Sequence, residues 1–243
     1  MPPDAVATSH TPIERPATTA CDNDSLFEHV AWVYAFCREH LFLDDTERII
    51  AALWPSGRPA SGTKLIELGC GPGFYSCRLA ERFRDISVTG VDRSENQLYW
   101  ARERAGALGL NNCCFKRVNV LQLRCADGEF HNLLASRLFT VLPEPERAIA
   151  EMYRVLKPGG HCFIAEPRHA FRASFPLLAM WLLAGVIRTN NGYCEPRKAT
   201  VFSARAFEKL FPTQPWKSIK IWQEGRYQYA LCEKGCTAAS AVE

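Results

Sequence analysis

A glycine-dense turn directly after a short apolar strand is the feature that most constrains the fold. Residues 64–68 read KLIEL, and Gly69, Gly71 and Gly73 follow at alternate positions. An amphipathic segment over residues 75–83 comes next, so the pattern predicts a strand, a loop and a helix in succession. Glycine lets a backbone approach a ligand closely, because it carries no Cβ atom. The segment therefore predicts a ligand-binding loop at the start of a helix.

The spacing of the glycines distinguishes between two kinds of cofactor site. A dinucleotide-binding turn follows the pattern G-x-G-x-x-G, whose third glycine packs the helix against the strand near a pyrophosphate. Counted from Gly69 and Gly71, that glycine would stand at position 74, where the chain has Phe74. The turn instead follows G-x-G-x-G and is preceded by Glu67. An NAD(P)-dependent oxidoreductase is therefore disfavoured, although it stays open as an alternative.

Length and composition predict one globular α/β domain with additions, since the chain has 243 residues, of which 47% are hydrophobic and 23% are charged. The net charge of +3, without a cluster of Lys or Arg, predicts no nucleic-acid partner. Residues 1–24 are rich in Pro, Thr and Ala and lack apolar periodicity, which predicts a disordered tail and no signal peptide. The folded domain is expected over residues 25–243.

Eleven cysteines are scattered along the chain, and none forms a C-x-x-C pair. Several of them, such as Cys37 and Cys162, stand inside apolar segments, where cysteine behaves as a small hydrophobic residue. This pattern favours a reduced, cytoplasmic protein without a metal site. The adjacent pair Cys113-Cys114 leaves a thiol-based metal or metalloid site as the alternative.

Strand and helix patterns alternate along the chain, which predicts a doubly wound sheet with right-handed crossovers. The predicted strands are 64–68, 86–92, 114–120, 132–136 and 161–165. The predicted helices are 25–42, a helix capped by Asp44 or Asp45, and then 75–83, 95–108, 144–156 and 204–210. Glu224-Gly225 stands between two further strand patterns, 216–223 and 226–233, and predicts a closing hairpin.

Two segments resemble the class I S-adenosylmethionine (SAM)-dependent methyltransferases. The turn after Glu67 is similar to their motif I, acid-x-G-x-G-x-G, and residues 151–160, EMYRVLKPGG, resemble E-x-x-R-V-L-K-P-G-G of the small-molecule branch, whose role is structural. The resemblance covers residues 64–165. It implies a Rossmann-like α/β fold with a seven-stranded sheet of order 3-2-1-4-5-7-6 and an antiparallel last strand. It also implies N-terminal helices and a helical cap insertion over residues 166–202.

The resemblance implies SAM as the cofactor and places its contacts on this chain. The glycine loop would wrap the methionine part and the ribose, and Glu67 would reach the amino-acid part. Asp92, at the tip of the second strand, would accept hydrogen bonds from both ribose hydroxyls. The remaining expected contacts are Gly69, Cys70, Gly71, Gly73, Arg93, Gln97, Asn119, Val120 and Ser136.

Two positions depart from the family pattern. Asn119 stands where related sequences have an aspartate that holds the adenine amino group, and it keeps a carbonyl acceptor without the charge. His131 replaces the aspartate of the fourth-strand pattern F-D-x-V. These departures leave a non-catalytic SAM-binding protein as an alternative to a methyltransferase.

The apolar run over residues 174–188 carries the prediction about the acceptor. It is too short to span a bilayer, which needs roughly twenty residues. One interpretation is a buried helix between the sheet and the cap. The other is an interfacial helix in peripheral contact with a membrane, which would admit a hydrophobic small molecule such as a quinone, isoprenoid or lipid. The candidate acceptor-pocket residues are Tyr34, Arg137, Phe139, Trp181 and Tyr193.

The candidate catalytic residues are Glu166 and His169, which follow the fifth strand at the ligand-binding edge of the sheet. Methyl transfer from a sulfonium is an in-line displacement that depends mainly on alignment of the donor and the acceptor. A general base contributes only where the acceptor must lose a proton. A carboxylate and an imidazole at this edge are the residue types that such a step needs.

Overall fold

The structure is a computed structural model that describes residues 30–40, 43–186 and 199–236. The predicted tail, the first residues of the predicted N-terminal helix and Tyr193 lie outside these ranges.

Seven strands form one sheet in the order β3-β2-β1-β4-β5-β7-β6, as the resemblance implied. The strands are β1 Lys64–Leu68, β2 Ser87–Asp92, β3 Cys113–Arg117, β4 Phe130–Ser136, β5 Leu156–Pro167, β6 Trp216–Glu224 and β7 Tyr227–Lys234. The pairs among β1 to β5 are parallel, whereas β7 runs antiparallel to both β5 and β6. The predicted fold class is confirmed.

Helices cover both faces of the sheet. They are α1 Ala31–His40, α2 Thr46–Leu53, α3 Phe74–Arg82, α4 Glu95–Ala107, α5 Pro145–Val155, α6 Ala170–Val186 and α7 Ala204–Leu210. Leu65 of β1 packs in one hydrophobic cluster with α2, α3 and α4, whereas Ile66 and Leu68 pack in a second cluster with α5 and α7. Successive side chains of a strand point to opposite faces, so both faces of β1 are buried, and Glu67 is the one charged residue among its four buried positions.

The third strand ends earlier than the apolar pattern predicted. It stops at Arg117, so Asn119 and Val120 lie in the loop that follows. Asn119 accepts the amide of Leu121 on its side-chain oxygen at 3.0 Å and the amide of Gln122 on its carbonyl oxygen at 3.0 Å. Asparagine favours such local turns over a continued strand ladder, because its own side chain satisfies the backbone.

The junction between α5 and β5 also differs from the prediction. Helix α5 ends at Val155 and β5 begins at Leu156, so Pro158-Gly159-Gly160 lies inside the strand. Leu156 is already extended and pairs with Phe130 of β4. A Cβ atom on Gly160 would lie 2.8 Å from the carbonyl oxygen of His131, so glycine is required by this close strand contact.

Helix α6 contains residues 174–186 of the apolar run that carried two interpretations, and each interpretation describes one face of the helix. Residues 187–188 lie outside the described residues. Met180 and Ala184 are buried in a cluster with Val30 and with residues of α1. The opposite face exposes large apolar side chains, including Leu182 at 65% and Val186 at 78% exposure. Within the described residues, no helix combines the length and the apolar character needed to cross a membrane.

Candidate cofactor and acceptor site

A cavity of about 480 Å³ lies at the carboxyl ends of the parallel strands. This is the edge at which doubly wound sheets bind their ligands, because the loops there diverge from the sheet. The lining residues come from α1, from the segments that follow β1 to β4, and from one position before α7. They are Tyr34, Gly69, Gly71, Asp92, Arg93, Gln97, Val118, Asn119, Val120, Leu121, Ser136, Arg137, Leu138, Val141, Leu142, Pro143 and Thr200.

The three glycines of the turn have different structural roles, although all have positive φ angles. Gly69 and Gly71 line the cavity, and a Cβ atom on Gly71 would lie 3.4 Å from the Tyr34 ring. Gly73 does not line it. A Cβ atom there would lie 2.9 Å from both Ala101 and Phe115. Gly73 is therefore required for packing α3 against α4 and β3, and the expected cofactor contact at this position is not seen.

Asp92 is held in place by the backbone around it. Its Oδ2 accepts the amide of Gly71 at 2.9 Å, and its Oδ1 accepts the amide of Ser94 at 3.0 Å. Burial raises the pKa of Asp92, while these amides and the nearby Arg93 act in the opposite direction. Asp92 lines the cavity, where its carboxylate is a hydrogen-bond acceptor of the kind that suits ribose hydroxyls.

The predicted start of α4 is confirmed, and it places Gln97 in the cavity wall. Ser94 caps the helix by accepting the amide of Gln97 on its Oγ at 3.2 Å. Gln97 is buried, and its side-chain oxygen lies close to Gly71. This end of the cavity is thus built from the tip of β2 and the capped start of α4.

Glu67 and Cys70 are buried beneath the loop and do not line the cavity. The Glu67 carboxylate accepts the amide of Ser76 at 2.8 Å and also the Ser76 hydroxyl. It therefore anchors the first turn of α3, and the structure does not place it within the cavity where a SAM amino-acid group would lie.

Arg137 follows β4 and has the single positive φ angle among the described non-glycine residues, at 58°. Its amide donates to the carbonyl oxygen of Ala165 at 2.8 Å, and its guanidinium donates to the hydroxyl of Tyr227 at 2.7 Å. Burial alone would lower the pKa of Arg137, but Tyr227, Tyr34 and Glu166 together raise it above its ordinary value. The cavity therefore has a fixed cation at the β4 edge.

The two candidate bases are not brought into the cavity. Glu166, at 1% exposure, lies below the segment after β4 and accepts the amide of Phe139 at 2.9 Å. Burial raises its pKa to about 8, although that amide and Arg137 oppose the rise. His169 is exposed, just before α6, and is also absent from the lining. A catalytic role for Glu166 or His169 stays a prediction without geometric support.

The acceptor-pocket candidates divide in the same way. Tyr34 and Arg137 line the cavity, whereas Phe139 is fully buried in the core under α5. Trp181 packs at the contact between α6 and α1 and does not line the cavity. Tyr193 lies outside the described residues.

Several lining residues were not predicted from the sequence. The apolar positions Val141, Leu142 and Pro143, shortly after a strand, were a usable signal for this wall of the cavity. Val118 and Leu121 flank the predicted Asn119-Val120 pair and extend that wall. Thr200 is distant in sequence from every motif, and no pattern identified it. Among the described residues, no group of three or more His, Cys, Asp or Glu side chains is arranged to hold a metal ion.

Curated relatives match about half of the chain. Phosphatidylethanolamine N-methyltransferase of Cereibacter sphaeroides is 34% identical over 122 residues, which are 50% of this chain and 58% of that protein. Demethylmenaquinone methyltransferase of Listeria welshimeri is 34% identical over 104 residues, which are 42% of this chain and 44% of that protein. The chain spans about half the length of the curated relatives it matches.

Among solved structures, phosphoethanolamine N-methyltransferase 2 of Haemonchus contortus, in complex with S-adenosyl-L-methionine, superposes with a TM-score of 0.67. The superposition covers 90% of this chain and 61% of the Haemonchus chain. The sequence identity is 13%, so the two proteins are similar in fold. The sheet order and the cavity at its edge, together with this likeness, define a class I SAM-dependent methyltransferase fold. A family profile described as a methyltransferase domain matches residues 59–228, and the chain belongs to that family. SAM is the cofactor of this class, and the NAD(P) alternative is set aside.

Proposed function

We propose that the protein transfers a methyl group from SAM to a small hydrophobic acceptor. The observation that carries the proposal is the composition of the cavity described above. Its β2 edge carries the fixed carboxylate of Asp92, and its β4 edge is walled by Leu138, Val141 and Leu142. A polar nucleoside end next to an apolar end suits a cofactor that meets a hydrophobic substrate.

The residues present fit SAM. Asp92 would hold the ribose hydroxyls, and the loop from Gly69 to Gly71 would face the methionine part. Val118 and Leu121 offer apolar surface for the adenine ring. When bound, SAM supplies a methyl group on an already activated leaving group, so the protein needs chiefly to align the two reactants and exclude water. Tyr34 of α1, which lies against Gly71, would cover the reacting end.

A lipid-like acceptor is favoured by three observations. The wall after β4 is apolar, and two of the curated relatives are named for a phospholipid and for a quinone precursor, respectively. The exposed apolar face of α6 points the same way, since it would let the protein rest on a membrane surface from which such an acceptor is drawn. We include this peripheral membrane contact in the proposal.

Calorimetry with S-adenosylhomocysteine (SAH) tests the cofactor assignment. We expect SAH to bind with micromolar affinity or better, far more tightly than NADH. Asp92→Ala should weaken SAH binding by about tenfold or more, because two charge-assisted hydrogen bonds to the ribose are lost. The exposed Asp85→Ala variant, at the opposite end of β2 from Asp92, is the matched control and should bind SAH like the native chain. Tighter binding of NADH than of SAH would contradict the proposal.

Transfer activity requires a second experiment. The protein is incubated with methyl-labelled SAM and with cell extract divided into lipid and aqueous fractions. We expect label in an extractable lipid-fraction product. If SAH binds but neither fraction gains label, the non-catalytic SAM-binding alternative is favoured. Label confined to the aqueous fraction would retain the methyltransferase and reject the lipid-like acceptor.

A further inference from the structure

Arg137 has a backbone conformation that its residue type does not favour. A non-glycine residue at φ 58° is strained, and asparagine or glycine would adopt this conformation more readily. The conformation is maintained by contacts on both sides of the residue. Its amide donates to Ala165, and the Thr140 hydroxyl donates to its carbonyl oxygen at 2.8 Å. A strained residue of this kind at a cavity wall motivates a functional explanation.

The position of Arg137 in the sheet places its charge away from the ribose end. Asp92 ends β2 and Arg137 follows β4, with β1 between them. Two strand spacings separate these sites by about 10 Å. Arg93 lies beside Asp92 at the ribose end. Of the described residues that line the cavity, Arg137 is therefore the charged one at the acceptor end.

The side chain of Arg137 is held in a fixed orientation. Tyr227 accepts one guanidinium hydrogen bond at 2.7 Å, and Tyr34 lines the cavity beside it. A guanidinium presents several donors in one plane and matches the two oxygens of a carboxylate or phosphate. We infer that Arg137 forms an oxyanion subsite at the acceptor end of the cavity, which binds a carboxylate or a phosphate group.

Two ligands could supply this oxyanion, and the inference rests on the proposed function for both. One is the carboxylate of the methionine part of SAM, which extends from the glycine loop. The other is an acidic group on the acceptor itself, which would then be an anionic amphiphile and not a neutral hydrocarbon-like molecule. The shared chemistry is a planar cation that pairs with an oxyanion in a partly water-excluded cavity.

Calorimetry on the intact chain separates the two sources. The cofactor arm compares SAH with 5′-methylthioadenosine, which lacks the amino-acid part. The acceptor arm compares decyl phosphate with decanol, both in the presence of sinefungin or 5′-methylthioadenosine. Arg137→Met removes the charge, and Arg137→Lys keeps the charge but not the planar fork. Arg137→Asn tolerates the left-handed backbone and reports whether folding is preserved. Exposed Arg124→Met controls for the loss of one positive charge.

A cofactor carboxylate at this subsite predicts that R137M loses about tenfold or more in SAH affinity while 5′-methylthioadenosine binds as before. An acidic acceptor predicts that R137M retains SAH but loses about tenfold or more in decyl phosphate affinity, with decanol unchanged. The inference is overturned if SAH and decyl phosphate both bind R137M within about twofold of the native chain. Failure of the native chain to bind SAH would contradict the proposed function instead, and the decyl phosphate arm would still test the subsite.

Discussion

At the scale of single residues, the site is built from groups whose positions are set by main-chain hydrogen bonds. Asp92 is fixed by the amides of Gly71 and Ser94, and Glu166 is fixed by the amide of Phe139. Such bonds hold a carboxylate in one orientation without a second charged side chain. Asp92 therefore stays available to a ligand, whereas Glu166 supports the segment that follows β4.

The separate roles of the glycines lead to a prediction about stability. Gly73→Ala should destabilise the fold by about 1–3 kcal/mol, because a left-handed alanine is strained and its Cβ atom would lie 2.9 Å from Ala101 and Phe115. Urea unfolding measures this loss. Gly106→Ala in α4 is the matched control, since its Cβ atom meets nothing within 4 Å and alanine favours a helix. An unchanged midpoint for G73A would contradict the packing role.

The raised pKa of Glu166 leads us to expect that the free energy of unfolding depends on pH. Its pKa in the folded chain is about 8, above the ordinary value of about 4.3 for an unfolded chain. Between these values the folded state holds a proton that the unfolded state releases, so stability falls as pH rises through this window. Urea midpoints at about pH 6 and about pH 8.5 should show this loss in the native chain.

Glu166→Gln is the matched variant for that measurement. Glutamine keeps an oxygen that accepts the Phe139 amide but does not ionise. We expect the difference in unfolding free energy between the two pH values to be smaller in the variant than in the native chain by more than about 1 kcal/mol. A raised Glu166 pKa supplies at least this much, because one unit of pKa shift is worth about 1.4 kcal/mol. Equal losses in both proteins would mean that another group titrates.

At the scale of elements, Arg154 explains why the segment over residues 151–160 is structural. Its guanidinium donates to Glu151 on its own helix and to the carbonyl oxygens of Leu123 and Cys125. It also pairs with Asp127 at 2.6 Å. Helix α5 is thereby tied to residues 123–127, which follow the cavity-lining residues after β3. The motif thus shapes the site without contacting a ligand.

The exposed face of α6 and α1 leads to a prediction about membrane contact. Phe175 and Leu182 are exposed on α6, and Trp32 and Phe36 are 54% and 56% exposed on α1. Because apolar and aromatic side chains on one helical face bind the interfacial layer of a bilayer, the native chain should float with anionic liposomes. The double substitution Phe175→Ser with Leu182→Ser should abolish most of this flotation.

Exposed Ile219→Ser on β6 is the control for that experiment, since it removes one apolar side chain from another part of the molecule. It should float like the native chain. A native protein that stays entirely in the soluble fraction would reject the membrane contact and leave the buried face of α6, which packs on α1, as the role of this helix.

At the scale of the whole molecule, the sheet order arranges the chemistry along one edge. The order β3-β2-β1-β4-β5 places the loop after β3, Asp92, the glycine loop, Arg137 and Glu166 in sequence along that edge. A bound cofactor would therefore extend across β2 and β1 toward β4, where the apolar wall begins. Alignment of donor and acceptor follows from strand order before any catalytic side chain is considered.

Sequence patterns alone were enough to predict the short-range structural features of this protein. The strand–loop–helix around Gly69 to Gly73, the Ser94 cap and the acid at the tip of β2 were all predicted, because each depends on residues within one or two turns of one another. Alternating strands and helices predicted the doubly wound sheet. The resemblance added its strand order, which the structure confirms.

Which of those residues lie together in the cavity could be read from the three-dimensional structure and not from the sequence. Arg137 and Tyr227 are 90 positions apart, and Thr200 reaches the cavity from outside every motif. Phe139 and Trp181 carry the same apolar character as the true wall residues, yet they are directed into packing clusters. A side chain's polarity indicates that it prefers burial but not which neighbours it will have. That choice follows from how the layers close on each other, and at this site it determined which predicted residues face the cavity.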